Sequence, residues 1–269
     1  RLLEFKYFLK LLCKKYTIKD IDFFINRRDF PIVRNDGKHP YNHAYNNIKH
    51  NSTNNFIPIF SQSTSPEHGD IPIINIDDIT MLTNLTYPPK NSKITIPTLI
   101  SWDDKKDVAF FRGTATGCGV LSENNQRIKL AKLSFNLNDL NIIDAGLVSW
   151  NYRDKLYQKK MTLINPKKLG FPLVNKVSPQ EQLKYKYIIH VDGHVAAYRL
   201  SRELYSGSVI LLVKSENNYS LWITPLLNEW EHYIPIKKDL SDLIDKIKWC
   251  QSHDKECQQI AINALKLAR

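Results

Sequence analysis

One stretch constrains the fold more than any other: Lys184-Tyr-Lys-Tyr-Ile-Ile-His-Val-Asp-Gly-His-Val-Ala-Ala-Tyr-Arg-Leu200. The apolar run 187–191 reads as a buried strand that Asp192-Gly193 ends. Small residues and an arginine then open a segment with helical spacing over 195–204. The pattern is a strand, a glycine turn and a helix start carrying Arg199. Backbone N–H groups at a helix start attract anions, and glycine lets a phosphate approach the main chain. The segment is therefore a candidate site for a phosphorylated ligand.

A second element has the same form. Residues 108–111 read as a buried strand, followed by Arg112-Gly113-Thr114 and by Gly117 and Gly119. In open α/β sheets, ligands bind outside the carboxyl ends of the strands. Guanidinium groups stay charged and grip phosphate oxygens in a fork, so Arg112 and Arg199 could converge on one diphosphate. The alternative is that each arginine only caps or salt-bridges a helix. Asp29 follows a short strand over 22–26 and suits a general base that takes a proton from a hydroxyl. The alternative there is an ion pair with Arg27 or Arg28.

Composition bounds the partners. The chain has 269 residues, room for two α/β domains, and a formal net charge of +11 that calls for an anionic partner or surface. A nucleotide-activated substrate and a nucleic acid both fit that charge. The lysines are dispersed and not interleaved with aromatics on one stripe, which argues against nucleic acid. No apolar run approaches the roughly 20 residues of a spanning helix, so no membrane span is expected. The four cysteines, Cys13, Cys118, Cys250 and Cys257, have no metal spacing and do not suggest a disulfide scaffold. Asp20-Ile21-Asp22 has a metal-binding D-x-D form but precedes its strand, so no metal is expected. Asn51, Asn84 and Asn218 each begin an N-x-S/T triplet, at a frequency that chance explains in an Asn-rich chain. The chain begins at Arg1 rather than Met, as a mature form or excised domain would.

Coarse periodicity predicts an amphipathic helix over 2–15 and further helices over 125–133, 179–186, 196–205 and 240–268. Strands are predicted over 22–26, 56–60, 108–111, 142–143, 187–191 and 208–213. Strands alternating with helices imply parallel sheets flanked by helices. The Pro-dotted stretch near 90–105 suggests a domain border.

Six blocks in order carry a resemblance: Asp22-Phe-Phe-Ile-Asn-Arg-Arg-Asp-Phe-Pro31, Phe111-Arg-Gly-Thr, Lys184-Tyr-Lys-Tyr, the 193–199 turn, Trp230-Glu-His-Tyr-Ile-Pro235 and Asp239-Leu-Ser-Asp-Leu243. Over about 20–250 the chain resembles glycosyltransferase family 90, which includes protein O-glucosyltransferases and capsule-associated proteins. The resemblance implies a GT-B fold, with two Rossmann-like domains facing across a cleft. The implied bounds are 1–100 for an acceptor-side domain, 101–250 for a donor domain and 251–269 for a terminal helix. It implies inverting transfer of a sugar, glucose or xylose, from a UDP-sugar to a protein or glycan hydroxyl, without a metal or other cofactor. By position, Asp29 would be the base. Arg112, Gly113, Thr114, Gly193, His194, Val195, Ala196, Ala197 and Arg199 would bind the donor. The chain departs from the family near Leu221, where its glucosyltransferases carry an acidic residue, and after Arg112, where Thr-Ala-Thr-Gly-Cys-Gly replaces the usual Ser-Arg-Thr-Ser. The Leu221 departure leaves room for a catalytically silent relative that binds a glycan or partner. The Asn-, Ile- and Lys-rich composition suggests a large DNA virus or a protist. The implied compartment is the cytoplasm for a viral protein and the secretory lumen for a cellular one.

Overall fold

The computed structural model describes residues 2–38, 58–75, 77–79 and 98–269. It divides into two compact units. The first comprises 1–96 with 217–226, and the second 97–216 with 227–269. Residues 217–226, which the sequence places in the donor domain, thus cluster with the N-terminal unit. The terminal helix packs inside the second unit instead of forming a separate piece.

In the first unit, helix α1 (Leu2–Lys15) precedes a parallel sheet of β1 (Phe24–Ile25), β2 (Ile59–Ser61) and β3 (Ile71–Pro72), in that order. Buried polar groups hold the strand ends. Asp70, 4% exposed, accepts from the Ile32 and Val33 amides at 3.0 and 2.7 Å and from Ser61 Oγ at 2.5 Å. Residues 217–226 join the unit through reciprocal Thr64 and Ser220 backbone bonds and through Trp222 Nε1 donating to Asp78 at 2.7 Å. Leu221 is core there, 2% exposed. Asn51 and Asn84 lie outside the described residues.

The second unit is built on a five-stranded parallel sheet in the order β10-β9-β8-β4-β5. Its strands are β4 (Lys106–Thr114), β5 (Ile143–Ser149), β8 (Tyr185–His190), β9 (Val209–Val213) and β10 (Ile234–Ile236). A hairpin of β6 (Lys155–Tyr157) and β7 (Lys160–Thr162) follows β5. The helices are α2 (Gln126–Asn136), α3 (Pro166–Leu169), α4 (Pro179–Gln182), α5 (Leu200–Leu204), α6 (Leu243–Ser252) and α7 (Asp254–Ala268). Central parallel strands are covered on both faces, so they read as unbroken apolar runs, as in Val209-Ile-Leu-Leu-Val213. The α/β class with parallel sheets is the one expected, and each unit carries a parallel sheet of its own.

Several predicted elements differ: the helix predicted over 240–268 breaks at His253 into two, and the strand predicted over 142–143 runs on to Ser149. Strand β4 continues through Arg112, Gly113 and Thr114, paired with Gly146, Leu147 and Ser149 of β5, so these residues are ladder and not turn. The helix predicted over 179–186 stops at Gln182, because Tyr185 already pairs with Lys106. The helix predicted from 196 begins at Leu200 and has five residues.

Lys105 is buried in this unit, its Nζ donating to Leu183 O, Ser206 O and Ser208 Oγ at 2.6–3.2 Å. Burial lowers its pKa to about 8, and burial likewise lowers that of Lys155 to about 8. Both groups sit below the ordinary lysine value, so the folded state binds fewer protons than the unfolded chain from about pH 8 to pH 10.5. The burial cost is fully present below pH 8 and is relieved as pH rises through that window. The melting temperature is expected to rise between pH 8 and pH 10 in a thermal-melt series, and Lys105→Met should flatten the rise. Opposing terms enter above pH 9, where the Cys257 contact and burial raise the Cys250 thiol, and above pH 10, where burial and Asp144 raise Tyr185 to about 12, so the rise is steepest between pH 8 and pH 9.

Candidate active site

The sheet order places a topological switch between β4 and β8. The chain leaves β4 through α2 toward β5 on one side, and leaves β8 through α5 toward β9 on the other. Such a switch opens a crevice at the carboxyl ends of the two strands. The ladder shows the opening, because β4 and β8 pair through Phe110 and Ile188 while β4 runs on to Thr114 and β8 to His190.

Two guanidinium groups fill the gap. Arg199 Nη1 donates to Arg112 O at 3.0 Å, and its Cζ stands 5.1 Å from the Phe111 ring centroid. Arg127 Nε donates to Asp192 O at 2.8 Å, Nη2 to Val191 O at 2.9 Å, and Nη1 to Thr114 O at 3.2 Å and Thr116 Oγ1 at 2.7 Å. Its Cζ lies 5.7 Å from the same Phe111 ring. Arg127 is 8% exposed, with oxygens but no carboxylate in hydrogen-bond contact. Burial first, and then the neighbouring Arg199 charge, lower its pKa to about 9. A buried cation of this kind projects positive potential that an anion can neutralise.

Glu203 orients Arg199. It is 8% exposed, with Oε1 2.6 Å from Arg199 Nε and Oε2 2.5 Å from His190 Nδ1. Burial opposes its charge, but Arg199 and His190 outweigh it and the Glu203 pKa is lowered.

Arg112 is not part of this pair. Alternate strand residues face opposite sides of a sheet, so Arg112 shares a face with Phe110, 4.8 Å from that ring centroid, and not with Phe111. Its Nη2 meets Asp144 Oδ1 at 2.6 Å and its Nη1 donates to Asp144 O at 2.8 Å. The expected convergence of Arg112 and Arg199 is therefore replaced by that of Arg127 and Arg199, with Arg112 contributing only its carbonyl. The reason is the extra length of β4, which keeps Arg112 inside the ladder.

The remaining candidates cluster at the crevice. Gly113 faces Phe111 and Arg127, and Thr114 Oγ1 bonds Ser149 Oγ at 2.9 Å. At Gly193 a Cβ would stand 2.8 Å from Thr116 Oγ1, so the two loops approach closely and any larger residue would have to displace that hydroxyl. His194 Nδ1 lies 3.4 Å from the Gly117 amide, and Val195 is buried. Ala197 N donates to Asp192 Oδ1 at 3.0 Å and Gly193 N to Val195 O at 3.0 Å. Residues 193–197, with Ala196 among them, are thus a tied turn and not a helix start, and the helix-dipole argument does not apply to α5. Arg199 occupies the N-cap position of that short helix.

Two residues escaped the sequence reading. Arg127 looked like an ordinary first-turn residue of α2, and only the tertiary contacts to residues 64 and 65 positions away expose it. Glu216 follows β9, and its pKa is raised by lost hydration and by Asp192, with Lys238 opposing. A carboxylate just beyond the next strand end was the available signal.

Asp29 belongs to the first unit, in the turn after β1. Asn26 shapes that turn, its Nδ2 donating to Phe30 O at 2.6 Å and to Ser61 Oγ at 3.1 Å while its Oδ1 accepts from the Arg28 amide at 2.9 Å. Ser63 Oγ donates to Asp29 O at 3.1 Å. The backbone is fixed and the Asp29 residue is exposed.

Among the described residues, no three His, Cys, Asp or Glu side chains are grouped to hold a metal ion, and no helix is long and apolar enough to cross a membrane. The model of glycosyl transferase family 90 matches residues 4–269. The chain belongs to that family. It is similar to uncharacterized protein 035R of Invertebrate iridescent virus 3, at 39% identity over 99% of this chain and 25% of that protein. It is also similar to protein O-glucosyltransferase 3 of Homo sapiens, at 29% identity over 99% of this chain and 47% of that protein. Protein O-glucosyltransferase 2 of Danio rerio matches at 30% identity, over 97% of this chain and 46% of its own length. This family 90 chain therefore spans between about a quarter and about a half of these relatives.

Proposed function

We propose that the chain transfers a sugar, glucose or xylose, from a UDP-sugar to a hydroxyl of a protein or glycan, with inversion and without a metal. The observation that carries the reading is the pair Arg127 and Arg199 at the β4/β8 switch point, two guanidinium groups beside the close-packed Gly193 turn. In this reading the diphosphate lies along the 193–199 turn, and Arg199 forks onto its oxygens. Arg127 adds a fixed positive field. Together they stabilise the charge that grows on the departing UDP, preorganised and shielded from bulk water. Glu216 supplies an acceptor for donor hydroxyl groups, a role the family's acidic residue near Leu221 would otherwise take. Asp29 removes the acceptor proton, and the resulting alkoxide attacks the anomeric carbon from the face opposite UDP.

The test is UDP release from UDP-glucose and UDP-xylose by the purified protein, with and without EDTA. Release unaffected by EDTA is expected. EDTA-sensitive turnover would sink the metal-free mechanism, and no release or binding of any donor would favour a silent glycan- or partner-binding role.

A further inference from the structure

The hairpin that follows β5 sends a lysine under the loop that leaves β4. Lys155 is 5% exposed, and its Nζ donates to Ala115 O at 3.2 Å and Gly119 O at 3.0 Å. Asn125 Nδ2 donates to Thr116 O at 3.1 Å and to the same Gly119 O at 3.0 Å. Arg127 takes Thr114 O and Thr116 Oγ1 from the crevice side. Four carbonyls of the 114–119 segment thus turn toward side-chain donors, two of them cationic. A trans peptide sets N–H opposite C=O, so the amide after each held carbonyl points away from its donor. The Gly117 amide, next to the Thr116 carbonyl, is the one that reaches His194 Nδ1. The loop cannot move far without breaking these bonds. At Gly119 a Cβ would stand 1.8 Å from Asn124 O, so the main chain is also closely packed there.

We infer that Lys155 is a positioning residue of the donor site, which shapes the 114–119 loop against the 193–199 turn through the carbonyls of Ala115 and Gly119. The inference rests on the donor-site reading above. An ammonium under the loop costs desolvation, and with Cys118 the only opposing influence its pKa falls to about 8. The ammonium pairs the Ala115 carbonyl, which an apolar residue would leave without that bond, and shares the Gly119 carbonyl with Asn125. Lys105 is the internal comparison, a similarly buried lysine that ties Leu183, Ser206 and Ser208 and contacts neither loop of the crevice.

UDP titration by calorimetry, with thermal melting alongside, tests the inference on wild type, Lys155→Met, Lys155→Arg and Lys105→Met. Lys155→Met is expected to weaken UDP about tenfold and raise the donor KM similarly, with kcat at saturating donor changed less than threefold. Lys155→Arg should recover part of the affinity, since it keeps charge and donors, and it reports on the same contacts if the methionine variant does not fold. Lys105→Met should lower the melting temperature and leave UDP affinity at the wild-type value. UDP binding unchanged in Lys155→Met, or weakened equally by Lys105→Met, would overturn the positioning role. Wild-type protein that fails to bind UDP would instead overturn the donor-site reading on which it rests.

Discussion

Asp29→Asn protein is expected to lose transfer by about 10³-fold while binding UDP as tightly as wild type. General-base catalysis by one placed carboxylate contributes roughly 10²- to 10⁴-fold. The turn around Asp29 is held by Asn26 and Ser63 through backbone atoms, and the substitution leaves those bonds in place while replacing a basic oxygen with an amide. A rate assay with saturating UDP-sugar and acceptor, paired with UDP calorimetry, separates the two effects. Unchanged transfer would show that the proton leaves by another route. Weakened UDP binding would show that Asp29 acts on the donor.

Replacing Arg199 should be nearly as costly. Removing one preorganised contact to developing charge costs about 10²- to 10³-fold in rate. Arg199→Ala also strips Glu203 of its ion-pair partner, leaving a buried carboxylate hydrogen-bonded to His190 with Arg202 as the nearby charge, so some stability is lost with it. The double variant Arg199→Met, Glu203→Gln removes that stranded charge. It is expected to melt closer to wild type than Arg199→Ala and to remain as slow in transfer. Arg199→Lys keeps the charge without the fork and should be intermediate. Recovery of transfer by the double variant would reduce Arg199 to a structural role.

The apolar runs 108–111, 187–191 and 208–213 marked the strands, since a strand buried on both faces has to be apolar throughout. The Asp192-Gly193 turn was legible because an Asp-Gly pair ending an apolar run punctuates a strand. What stayed hidden depended on contacts between distant segments. Gly113-Thr114 looks like a turn, yet the space over Gly113 is taken by the Phe111 ring and Arg127, and β4 continues through it. Val195-Ala-Ala has helical spacing, yet Asp192 bonds the Ala197 amide and ties the segment into a turn. Arg127, Lys105 and Lys155 look like surface cations in sequence. Each is buried because carbonyls from other segments converge on it.

If UDP binds at the β4/β8 crevice, calorimetric titration of UDP into wild-type and Arg199→Ala protein, both verified as folded by thermal melting, will separate the two proteins. A crevice site predicts saturable binding to the wild type and a loss of at least tenfold in Arg199→Ala. Equal affinity in the two proteins would place the nucleotide elsewhere and contradict binding at the crevice.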